Sequence, residues 1–112
     1  MQTKNTIKWF FENGMYTFGC DTPADFILKL SLWNMKDCVA DIQCKTLVCD
    51  GDDEMDVLKG QASLLYKAMN CQKDFFVFKK EDGCGSHCQM GGRIQSCHEI
   101  YNWVDTQIKN KN

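Results

Sequence analysis

Two short loops hold most of the residues that could do chemistry. The first, "DGDDEMD", runs from Asp50 to Asp56 and concentrates carboxylates; the second, "EDGCGSHCQ", runs from Glu81 to Gln89 and sets His87 among cysteines and glycines. A carboxylate beside an imidazole makes a general-base unit. The acid holds the ring in one tautomer and stabilises its protonated form, while the ring takes a proton from a hydroxyl nucleophile. Asp53 is the first choice for that acid, Glu54 the second and Asp56 a third, with His87 as the base.

Metal chemistry fits less well. Cys84, His87, Cys88, Cys97 and His98 supply soft donors for zinc, yet no paired Cys-x-x-Cys knuckles occur among them. Cys97 and His98 are neighbours in a helical pattern and so face about 100° apart. The acidic loop resembles the start of a calcium loop but has Met55 where the turn glycine belongs and Gln61 where the bidentate glutamate belongs. No metal and no organic cofactor is expected.

The elements around these loops follow from periodicity and punctuation. Residues 3 to 18 carry Ile7, Phe10 and Phe11 at helical spacing and predict a short helix that breaks at Asn13-Gly14. Thr22 as N-cap, Pro23 at the first helical position and Asp25 three residues after the cap predict a second helix from Pro23 to Trp33. "KTLVC" switches to a β-branched apolar run, read as a buried strand from Thr46 to Cys49. "GQASLLYKAMN" then places Ala62, Leu65, Tyr66 and Met69 on one helical face. "KDFFVFKK" is a second strand, and a final helix from about Arg93 to Lys109 carries Ile94, Cys97, Tyr101, Val104 and Ile108 on one stripe.

Strand, helix, strand, helix is a βαβα order, which demands parallel strands joined by a right-handed crossover. Parallel neighbours end on the same rim, so the acidic loop and the histidine loop emerge together where open parallel sheets bind ligands. An acid of the first loop can therefore reach His87.

The blocks "NGMYTFGCDTPADFILKL", "CKTLVCDGDDEM", "GQASLLYKAM" and "EDGCGSHCQMGGRI…YNWVD", in that order over almost the whole chain, resemble the C-terminal part of an α/β-hydrolase, in the esterase and acyl-hydrolase branch that includes dihydropseudooxynicotine hydrolase. The resemblance implies an α/β fold class: residues 1–40 as cap-like helices, and residues 41–112 as the last two parallel strands of the core with their crossover and C-terminal helices. It implies that His87 is the histidine of a Ser-Asp-His triad cleaving ester, amide or carbon–carbon bonds at a carbonyl. The family's usual spacing puts Glu54 where aspartate is expected, with Asp53 adjacent, and Lys45 where proline is common.

One part of that machinery is absent from the sequence. No Gly-x-Ser-x-Gly elbow and no candidate oxyanion-hole loop occurs in the 112 residues, and Ser31, Ser63, Ser86 and Ser96 all lie in other contexts. Acid and histidine alone give little triad-type catalysis. The chain is therefore expected to need a complementing N-terminal half or a homo-oligomeric partner, with a small-molecule carbonyl compound as substrate; the alternative is a non-catalytic remnant that binds a partner chain.

Bulk properties narrow the setting. A net charge of −2, with Lys and Arg scattered, argues against nucleic acid as a partner. No apolar stretch reaches the ~20 residues of a membrane-spanning helix, and the start "MQTKNTIKWFFENG" lacks a signal-type apolar core. A cytoplasmic chain is expected, with its eight cysteines as free thiols. Trp9, Phe10, Phe11, Tyr16, Phe18, Phe26 and Trp33 are expected mostly as core, and the resemblance adds that some would line a substrate pocket.

Overall fold

The computed structural model describes residues 4–110, in two compact units divided between Val39 and Ala40. The first is a helical pair, α1 (Lys4–Phe18) and α2 (Pro23–Ser31). Thr22 caps α2 as its type predicts, its Oγ1 accepting the Asp25 N–H at 3.2 Å. The Asp25 carboxylate instead turns along the helix to Lys29, 3.4 Å away. α2 ends at Ser31, two residues short of Trp33.

The expected break at Asn13-Gly14 does not occur, because α1 runs through it to Phe18. Tertiary packing overrides the local signal. Gly14 is buried, and a Cβ there would stand 2.5 Å from Phe26 Cε1, so the missing side chain makes room for the ring. Phe26, only 2% exposed, meets Phe10, Phe11 and Phe18 edge-on at centroid separations of 5.3, 6.1 and 5.4 Å. The expectation of an aromatic core holds for Phe26 and in part for the half-buried Phe11 and Phe18, and fails for Phe10, Trp9, Tyr16 and Trp33, which are 37%, 61%, 89% and 78% exposed.

The second unit is mixed α/β. β1 (Thr46–Gly51) pairs in parallel with β2 (Lys73–Phe78), in the register Thr46 to Lys73 through Gly51 to Phe78. α3 (Gln61–Ala68) makes the crossover, and α4 (Arg93–Lys109) closes the unit. β1 extends two residues past the predicted Cys49. Two helices cover opposite faces of this ribbon. On one face Phe75 meets Tyr66 of α3 edge-on at 5.3 Å; on the other, Asp74 accepts the Trp103 indole N–H of α4 at 2.8 Å. Alternate strand residues point to opposite sides, so Phe76 and Phe78 share the α4 face with Asp74. Lys45 reinforces the same corner, 3.6 Å from Asp74 and over the Trp103 ring.

Two details of α3 and α4 bear on the sequence reading. Ala62, Leu65 and Tyr66 are half-buried and Met69 is buried, as the helical face predicts. Lys73 closes that end, its ammonium donating to the Tyr66 and Met69 carbonyls at 2.5 and 2.6 Å. The stripe on α4 forms, but it faces outward: Ile94 is 91% exposed and Tyr101 67%. The covered positions are Ser96, Glu99, Ile100, Trp103 and Gln107, an adjacent face whose mixed polarity concealed it.

Candidate active site

β1 ends at Gly51 and β2 at Phe78, level with each other, and the loops that leave them are stitched by main-chain bonds. The Asp52 N–H donates to the Phe78 carbonyl and the Asp53 N–H to the Gly85 carbonyl, each at 3.0 Å. Asp52 adds a side-chain tie: its Oδ1 accepts the Lys80 N–H at 2.7 Å. Such close stacking of two loops leaves no space for side chains at certain positions. A Cβ on Gly51 would lie 2.9 Å from the Gly85 carbonyl carbon, and one on Gly85 would lie 2.6 Å from the Lys80 nitrogen. Gly51 and Gly85 are thus positioning residues that the sequence reading missed; the only trace they leave there is two glycines in the loops.

This stitching brings His87 to Glu54. His87 Nδ1 lies 2.9 Å from Glu54 Oε2 and 3.1 Å from Oε1. An ionised carboxylate can only accept, so Nδ1 is the donor; in the neutral ring this leaves the lone pair on Nε2. The Glu54 side chain is 12% exposed while that of His87 is 48% exposed, which places a shielded acid behind an accessible ring. Glu54 Oε1 is further fixed by the Met55 N–H at 2.7 Å.

Of the three candidate acids, Glu54 is the one that the geometry brings to His87. Asp53 is directed to Lys80, with Oδ2 and Nζ 3.1 Å apart, and Asp56 is taken by Lys59 at 2.8 Å. That hydrogen bond holds the Asp56 carboxyl below its ordinary range and raises Lys59. The reason is local: the Asp53 N–H is committed to Gly85 across the rim, and the next side chain along is the one that reaches the imidazole.

Beyond the ring the backbone is strained. Cys88 and Gln89 both have φ of +52°, a left-handed conformation that costs non-glycine residues about 1–3 kcal/mol each. Turn bonds hold it: Gln89 N–H to the Ser86 carbonyl at 2.8 Å and Gly92 N–H to the Gln89 carbonyl at 3.0 Å. Cys84 anchors the loop from inside, 1% exposed, its thiol donating to the Gly92 carbonyl at 3.3 Å.

No nucleophile reaches the ring from within the described residues, where the hydrogen bonds of His87 run to Glu54. The hydroxyls of Ser31 and Ser96 donate to carbonyls of their own helices, Leu28 at 2.7 Å and Arg93 at 3.1 Å. Ser86 shares the His87 loop. Among the described residues no three His, Cys, Asp or Glu side chains converge as a metal-binding group, and no helix is long and apolar enough to cross a membrane. A cleft of about 210 Å³ between β2 and α4 is lined by Phe76, Phe78, Cys84 and Glu99 among others, but by neither Glu54 nor His87.

Comparison with known proteins finds two distant hydrolases. The 20-hydroxy-prefusarin hydrolase FUS2 of Gibberella moniliformis (strain M3125 / FGSC 7600) is 24% identical over 106 residues, covering 89% of this chain and 25% of that protein. The hydrolase LUC6 of Fusarium sp is 23% identical over 105 residues, covering 88% of this chain and 25% of that protein. The chain therefore spans about a quarter of the length of the curated relatives it matches. No family model matches it, and no solved structure does so significantly. Distant likeness to hydrolases is what these relatives establish.

Proposed function

We propose that this chain carries the acid-and-histidine part of a serine-type α/β-hydrolase site, in which Glu54 orients His87 and His87 Nε2 deprotonates a serine supplied by a segment outside these 112 residues. The observation that carries the reading is the 2.9 Å pairing of Glu54 with Nδ1 of a half-exposed ring, because it occupies one ring nitrogen and leaves Nε2 to meet a nucleophile. The serine would attack a carbonyl carbon of an ester, an amide or a ketone, and the imidazolium so formed would be stabilised by Glu54 and would hand its proton to the leaving group. An oxyanion hole would come with the serine, since the two are neighbours on a nucleophile elbow.

A chimera tests this. The chain replaces the matched region of the Gibberella relative, and hydrolysis of a chromogenic ester is followed together with labelling by a fluorophosphonate. Activity that disappears in His87→Ala with the fold retained is the expected result; full activity in that variant overturns the assignment.

A second reading, a non-catalytic module seated on a partner chain, draws on a different observation. Phe75, Phe76 and Val77 of β2 are each more than a third exposed, and α4 turns Ile94, Tyr101 and Ile108 outward. Under that reading the chimera gains nothing from Glu54 or His87.

A further inference from the structure

We propose that Cys44 and Cys71 form a redox-responsive dithiol pair that closes to a disulfide at the base of the β1–β2 ribbon, the end opposite the Glu54–His87 rim. The two sulfurs converge on one atom: Cys44 Sγ and Cys71 Sγ each lie 3.8 Å from Thr46 Oγ1. Their separation therefore cannot exceed the sum of those two contacts.

The strand register explains the convergence. Thr46 stands opposite Lys73, and the Thr46 N–H donates to the Gln72 carbonyl at 3.0 Å. Cys44 and Cys71 each lie two residues ahead of that pair, in the bends that lead into the two strands, so both enter the ribbon beside Thr46. Neighbouring strands lie about 4.8 Å apart. Segments that enter two paired strands at such a spacing start near the roughly 4.4–6.8 Å between Cα atoms that a disulfide spans. Closure then asks the two side chains to turn from their shared contact on Thr46 Oγ1 toward each other.

Accessibility sets the order of events. Cys44 is exposed and Cys71 half-buried. With a glutathione-type disulfide as oxidant, the Cys44 thiolate attacks one sulfur, the S–S bond of the oxidant breaks, and one small thiolate leaves. The Cys71 thiolate then attacks the Cys44 sulfur of the mixed disulfide and expels the second. The two thiol protons end on the two released small thiols, so two protein thiols and one small disulfide become one protein disulfide and two small thiols. No other two sulfurs among the described residues share a hydrogen-bonding partner: Cys20, Cys38 and Cys84 donate to main-chain carbonyls close to them in the chain or the fold.

The test is native oxidation of the whole chain in a glutathione redox buffer, followed by acid quench, alkylation of residual thiols and peptide mapping by mass spectrometry. The expected result is a Cys44–Cys71 linked peptide as the dominant cross-link, a loss of two hydrogen masses, and a higher melting temperature than the reduced chain. Cys44→Ser and Cys71→Ser each remove that link and leave the remaining partner capped by glutathione. A dominant cross-link between any other two cysteines, or capping of single thiols with no Cys44–Cys71 link, overturns the proposal. Mapping of the unmutated chain decides the matter even if a serine variant fails to fold.

Discussion

Gly51→Ala probes the rim more sharply than any change to the acid or the histidine, because it adds a single methyl group where two backbones touch. That methyl would sit 2.9 Å from the Gly85 carbonyl carbon and 3.4 Å from the Ser86 oxygen, both main chain. Neither can rotate away, so the Gly85–Ser86 segment has to move. Movement breaks the 3.0 Å bond from the Asp53 N–H to Gly85 and drags His87 off Glu54. Overpacking of this kind costs about 1–3 kcal/mol. The lost hydrogen bond adds about 1 kcal/mol. Alanine's narrower unfolded ensemble returns about 0.4–1 kcal/mol. The net loss is about 1–3 kcal/mol, which for a chain of this size lowers the melting temperature by about 5–20 °C. Thermal denaturation followed by circular dichroism measures it, with Gly60→Ala as the comparison. Gly60 has φ of +81° but open space around its Cβ position. It therefore reports left-handed strain alone, about 1–2 kcal/mol. A Gly51→Ala chain that melts within two or three degrees of the parent, as judged against the same ~4–8 °C per kcal/mol, would refute the claim that the two loops are pinned by contact.

Other outcomes follow from the same geometry. In the active chimera, Glu54→Gln should lower the ester hydrolysis rate by up to about 10⁴-fold, because the amide can favour the wrong tautomer of His87, whereas Asp53→Asn, which loses only an exposed pair with Lys80, should leave the rate nearly unchanged; equal losses would return the acid role to Asp53. Phe26→Ala should destabilise the helical unit by about 3–5 kcal/mol in chemical denaturation, since the ring fills the space that Gly14 leaves open. Burial pushes the Cys49 thiol above its ordinary value, so it keeps its proton to higher pH, and its alkylation by iodoacetamide should lag that of the exposed Cys38, Cys88 and Cys97 and rise later with pH. Comparable rates for Cys49 and Cys88 would contradict the burial.

Sequence periodicity captured what is local. The Thr22-Pro23 start of α2, the β-branched run of β1 and the inward face of α3 each declare themselves within a few residues, because capping, branching and helical spacing act at that range. What escaped depends on distant partners. Asn13-Gly14 reads as a break until Phe26 is known to need the room, and α4 shows an apolar stripe on the side that its own unit leaves bare. The choice between Asp53 and Glu54 turns on one N–H that pairs with Gly85 across the rim, a contact no short stretch of sequence can express. That an acid and His87 would meet was readable from parallel topology; which acid meets it required the path of the loop.

The parallel pairing of β1 with β2 also sets when the acid and the imidazole can meet. Glu54 and His87 are 33 residues apart, and everything that joins them is a crossover that must close before either strand has a neighbour. Such non-local contacts pay loop-closure entropy first and return stability only afterwards, so they form slowly compared with helices. α3 can flicker in and out early on its own hydrogen bonds, while the Glu54–His87 pair exists only once the ribbon has zipped to its last residues, Gly51 and Phe78. During synthesis the acidic loop is made 33 residues ahead of the histidine. Partly folded forms of this unit therefore carry a run of carboxylates and a loose imidazole without the Glu54–His87 pair, which forms in the final step of sheet closure.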